Sequence, residues 1–135
     1  MKTKILIVFA VFTSFFSCKN EVKEEVKPIV ENSKATEVQL IQFHTEHRCI
    51  TCNNIEKLSK ETIKGNDAIS FVLYNVDDEK NAKVAEQFEA TGTSLYLYNS
   101  KTKEIKDLTE MAFMYAKNEG DKFKTELQKE ISEFK

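Results

Sequence analysis

The chain has no tryptophan, one proline (Pro28) and three glycines (Gly65, Gly92 and Gly120) in 135 residues. So few backbone breakers exclude a loop-rich chain and predict regular elements joined by short turns. No glycine-rich phosphate loop occurs, so no dinucleotide is implied and no organic cofactor is expected. Charge of one sign is lacking too, with 20 Lys and Arg against 22 Asp and Glu, a formal charge of −2. Without a basic face interleaved with aromatics, nucleic acid is set aside as a partner. The apolar run at residues 5–16 is too short to span a hydrocarbon core, which takes about 20 residues. No internal repeat or low-complexity segment is visible. The rest of the composition, 41% hydrophobic and 31% charged, is that of an ordinary soluble globular domain.

The N-terminus reads as a targeting segment. Lys2 and Lys4 make a positive start, the apolar run follows, and the small residues Thr13, Ser14 and Ser17 stand just before Cys18. That is the pattern of a bacterial secretion signal. The ending Phe15-Phe16-Ser17-Cys18 resembles a lipobox, with Phe15 in place of the usual Leu. The resemblance implies cleavage after residue 17 and lipidation of Cys18, which also accounts for an unpaired cysteine in an exported chain. Residues 18–36 alternate Lys and Glu and read as a solvated spacer. The expected product is a membrane-anchored lipoprotein facing the periplasm or the exterior of a bacterium, held by acyl chains on Cys18.

Residues 37–135 carry the folded domain. Strands are predicted at 38–44, 68–76, 95–98 and 104–108, and helices at 49–64 and 79–90, with a split helical region from 109 onward. The run at 68–76 (AISFVLYNV) is nearly continuous and β-branched or aromatic, so it is predicted to be a central strand buried on both faces. Gly65 and Gly92 are expected to end the two helices, Asp77 and Asp78 to cap the second, and Thr109 the third. Val84, Ala85 and Phe88 form one inward stripe, and Phe123, Leu127, Ile131 and Phe134 another. These stripes are core positions rather than a cofactor box. The fold class is α/β, with a mixed four-stranded sheet flanked by helices.

The chemistry concentrates in Cys49-Ile50-Thr51-Cys52, delivered by the first strand to the start of the first helix. A helix start presents unpaired N–H groups and the positive end of the dipole, so a thiolate there is stabilised and its pKa falls. Cys49 is the expected nucleophile. Cys52, one turn on, is near enough to close a disulfide. A purely structural bridge is the weaker reading, because closing so short a loop removes only roughly 2 kcal/mol of unfolded-state entropy. In the redox reading Cys49 attacks a partner disulfide and Cys52 resolves the mixed disulfide. Arg48 and His47 are candidates for lowering the thiol pKa. Two alternatives stay open: zinc or copper(I) bound by His44, His47, Cys49 and Cys52, and a docking module without turnover.

The strand, the Cys-x-x-Cys pair and the element order together resemble a thioredoxin-like protein from Val38 to the C-terminus. Within that superfamily, Phe43, His44, Arg48, Cys49, Cys52, Ile55 and Glu56 match the motif of a small family named as a subunit of a nitrophenyl-compound nitroreductase system. The resemblance implies a redox accessory role with a protein partner that brings a thiol or disulfide. Three departures stand out. Arg48 occupies the usual Trp position, Ile50-Thr51 the usual Gly-Pro, and Ser94 the usual cis-proline. Thr93 and Ser94 are therefore the candidate substrate-loop residues, with the bond between them expected to be trans. The place of the buried carboxylate of thioredoxins falls on Gln42 or Phe43, neither of which transfers a proton at neutral pH.

Overall fold

The fold is built outward from Val38–His44, β1, whose five interior residues are all buried. In this computed structural model residues 36–134 are described. The predicted signal segment, Cys18 and all but the last residue of the spacer lie outside them. β1 pairs in parallel with Ile69–Asn75, β2, and antiparallel with Ser94–Asn99, β3. Ile105–Asp107, β4, adds an antiparallel partner to β3. The sheet is four-stranded and mixed, in the order β2-β1-β3-β4. The run at 68–76 is thus an edge strand, not a central one. Its apolar character has another cause: Ile69 and Phe71 pack on one side of the sheet, Val72 and Tyr74 on the other. An apolar run reports that both faces are covered, and a strand at the edge satisfies that as well as one in the middle.

Alternation along the strands separates two cores. Leu40, Leu95 and Leu97 face a layer made by Ile50–Thr62 (α1), Thr109–Ala116 (α3) and Gly120–Glu133 (α4), joined by Ile55, Ala112, Phe123 and Leu127. Ile41, Phe43, Tyr96 and Tyr98 face the other side, where Ala82–Gln87 (α2) brings Val84 and Ala85, and the residue that follows it, Phe88, completes the stripe. Phe88 lies 5.4–5.5 Å from the ring centres of Phe43, Tyr96 and Tyr98. Phe123, Leu127 and Phe134 are buried as their spacing predicts, with Ile131 packed at the margin.

The helix ends follow local chemistry more closely than glycine placement. Gly65 does turn the chain after α1, at φ +83°. The second helix is shorter than predicted. A 3₁₀ turn, Glu79–Asn81, is capped by the Asp78 side chain on the Lys80 N–H, and α2 follows. It is closed not at Gly92 but at Glu89, which takes φ 52° while the Ala90 N–H reaches back to the Ala85 carbonyl at 2.8 Å. Thr109 is likewise not a cap. Its hydroxyl accepts the Leu95 N–H at 3.1 Å, and Asp107 takes the Thr109 N–H at 2.7 Å. Among the described residues no helix is long and apolar enough to cross a membrane.

Candidate functional site

β1 ends at His44, and residues 45–48 carry the chain across the end of the sheet to α1. That loop is pinned. The Glu46 N–H donates to Asp77 Oδ2 at 2.7 Å, the Thr45 hydroxyl to the His47 carbonyl at 3.0 Å, and the Val76 N–H to the His44 carbonyl at 2.8 Å. Asp77, expected to cap a helix, thus holds the loop that leads into the cysteines.

Cys49 is the N-cap of α1, in extended backbone at φ −78° and ψ 167°. Its Sγ accepts the Cys52 N–H at 3.3 Å, the contact that a Ser, Thr or Asp oxygen makes at an ordinary cap. The two Sγ atoms lie 2.7 Å apart as free thiols, Cys49 exposed and Cys52 buried. The Cys52 thiol beside it, followed by the Cys52 N–H, holds the Cys49 thiol below its ordinary pKa. An exposed, thiolate-prone sulfur thus sits against a shielded one.

Behind Cys52, its Sγ meets the Thr93 hydroxyl at 3.3 Å. Among the described residues every peptide bond is trans, Thr93–Ser94 included. Thr93 therefore reaches the sulfur pair, whereas Ser94 is buried in β3 opposite Phe43, with its hydroxyl on the Gly92 carbonyl at 3.4 Å. Of the two candidates for the buried-carboxylate position, Gln42 is the one on this side of the sheet. Fully buried, it donates from Nε2 to the Cys52 carbonyl at 3.0 Å, and its Oε1 has no partner. Phe43 points into the opposite aromatic core.

The Arg48 guanidinium makes its hydrogen bonds to groups other than the Cys49 sulfur. Its Nη1 donates to Glu56 Oε2 at 2.6 Å and its Nη2 to the Cys52 carbonyl at 3.3 Å. Glu56 also takes Lys60 at 2.5 Å. Burial alone would raise the Glu56 pKa, but Lys60 and Arg48 outweigh it and leave the carboxyl below its usual range. His47 stands exposed on the loop, and His44 Nδ1 faces the Thr45 carbonyl at 2.8 Å. Among the described residues no three of His, Cys, Asp and Glu gather as a metal-binding group, so His44, His47, Cys49 and Cys52 are not assembled as one ligand set. The sequence points to Gln42 as a candidate for the buried-carboxylate position and to Glu56 as a residue that either modulates the Cys52 proton or faces water; it does not show that Gln42 bonds the Cys52 carbonyl or that Glu56 bonds Arg48. The available signal was position: Gln42 shares the Leu40 face of β1, and Glu56 lies one turn beyond Cys52.

No family model matches this sequence, and no curated protein does. Among solved structures, one described as "Structure of a malarial protein" matches at 20% identity over 58% of this chain and 94% of that one, with a TM-score of 0.42. A likeness at that level carries no argument about fold or function.

Proposed function

We propose that this chain is a thioredoxin-like protein that exchanges disulfides with a protein partner through Cys49 and Cys52. The observation that carries the reading is the pair itself: an exposed helix-capping thiol 2.7 Å from a buried one. Reactive cysteines occupy such partly exposed, thiolate-stabilising positions, and inert ones are buried. The order β-α-β-α-β-β followed by helices supports the same assignment.

In the reducing direction the Cys49 thiolate attacks one sulfur of the partner disulfide. That S–S bond breaks, one partner thiolate leaves, and a mixed disulfide forms on Cys49. The Cys52 sulfur, losing its proton to solvent, then attacks Cys49 Sγ and expels the second partner thiolate. The partner gains two electrons and this protein holds a Cys49–Cys52 disulfide; oxidation of a partner dithiol is the same sequence reversed. Thr93 lies against the resolving sulfur, its hydroxyl 3.3 Å from Cys52 Sγ.

A trapping experiment tests the assignment. Cys52→Ser should accumulate a mixed disulfide on Cys49 when expressed in its own cell, visible as a higher-mass band that collapses on reduction. Cys49→Ser should accumulate none. Equal trapping by both variants, or by neither, removes the nucleophile assignment.

A further inference from the structure

One backbone oxygen ties the two halves of the site together. The Cys52 carbonyl receives Gln42 Nε2 from β1 at 3.0 Å and Arg48 Nη2 at 3.3 Å. Arg48 is the residue immediately before Cys49, so its side chain runs back over the helix start and fixes the segment that carries the nucleophile. What fixes Arg48 is Glu56, at 2.6 Å from Nη1. The side chains of Arg48 and Glu56 are only 22% and 19% exposed, which sets them apart from the long-armed surface pairs that contribute little.

We propose that Glu56 is a positioning residue for the cysteine pair: it holds the Arg48 guanidinium on the Cys52 carbonyl, which keeps the two sulfurs within bonding reach and the Arg48 charge away from Cys49. The inference rests on the redox reading above and adds to it the element that sets the pair's equilibrium. Two groups kept in place react as if at high concentration, and loosening either one lowers that effective concentration. Removing the Glu56 charge has two consequences of the same sign. The sulfurs are held together less, so the internal disulfide is less favoured. The freed guanidinium also becomes available to the Cys49 thiolate, so the reduced form is more favoured. Both push the pair toward the dithiol.

The test is equilibration of the full chain with glutathione, with the Cys49–Cys52 bridge quantified by peptide mass spectrometry so that Cys18 does not interfere. The balance is one protein dithiol and one glutathione disulfide giving one protein disulfide and two glutathione thiols. Glu56→Gln should lower that equilibrium constant about three- to tenfold, a rise of ~14 to ~30 mV for a two-electron couple. Glu61→Gln removes the same charge from the same helix, where Glu61 faces Lys124 at 3.9 Å, and should leave the constant unchanged. In an Arg48→Gln background, Glu56→Gln should add no shift. A folded Glu56→Gln with the wild-type constant overturns the inference, and so does an equal shift from Glu61→Gln or in the Arg48→Gln background. Should Glu56→Gln not fold, Glu56→Asp withdraws the carboxylate by one methylene and must shift the constant the same way. A wild-type chain that forms no internal bridge at any glutathione ratio overturns the redox reading itself, an outcome distinct from an unshifted variant.

Discussion

A thiol that caps a helix differs from the usual oxygen cap because its acceptor strength rises sharply when it ionises. Cys49 Sγ faces the Cys52 thiol and the Cys52 N–H, both of which favour the thiolate, and its pKa is lowered in the folded state. The unfolded reference is about 8.5. An acid whose folded pKa is depressed contributes stability that is fully present above the unfolded value and lost as pH falls through the folded one. The reduced protein should therefore gain stability over reduced Cys49→Ser as pH rises through that window toward about 8.5. Urea midpoints for the two chains at stepped pH check this, and a difference that stays flat with pH contradicts it. At this scale the sequence displays the cysteine pair but not its neighbours. Spacing alone placed Cys49 at the helix start. It gave no sign that the Arg48 arm would turn toward Glu56, because that choice depends on a carboxylate eight residues away, on α1 itself, whose side chain is only 19% exposed.

Elements were legible where burial repeats with a clean period and obscure where a single residue decides. β1 and the inward stripes of α2 and α4 follow from alternation and helical spacing. The sheet position of β2 does not, since its apolar run answers to helices above and below rather than to strand neighbours. Helix termination shows the same divide. Gly65 and Glu89 both take left-handed backbone, at φ +83° and 52°, but only one of them is glycine. Left-handed backbone costs an L-residue roughly 1–2 kcal/mol, so these two positions carry opposite predictions. Gly65→Ala should destabilise the fold by about 1 kcal/mol from backbone strain alone, since an added Cβ meets nothing within 4 Å. Glu89→Gly should stabilise it by about 0.5–1 kcal/mol. Thermal or urea unfolding of the two variants reads both signs; equal signs would show that these turns are held by something other than their own backbone preference.

At the scale of the whole molecule, the cysteine pair and the chain entry lie at opposite ends of the sheet. The cysteines stand beyond the His44 end of β1, whereas the described chain enters at the Val38 end, where the Thr36 hydroxyl meets the Val38 carbonyl at 2.7 Å and Ser70 Oγ at 2.8 Å. A strand advances about 3.3 Å per residue, so the length of β1 separates entry from site by about 20 Å. If Cys18 is the lipid-bearing residue, the reactive pole is turned away from the anchoring end, and residues 19–36 add at most about 60 Å of contour to its reach. Anchor and chemistry are then separable. Cys18→Ala should move the protein from the membrane fraction to the soluble one while the Cys49–Cys52 equilibrium with glutathione stays where it was. Continued sedimentation with membranes would place the anchor elsewhere. A shift in the equilibrium on release would mean that the entry pole and the cysteine pole are coupled through the sheet, contrary to a scaffold in which β1 is buried along its length and held on both edges.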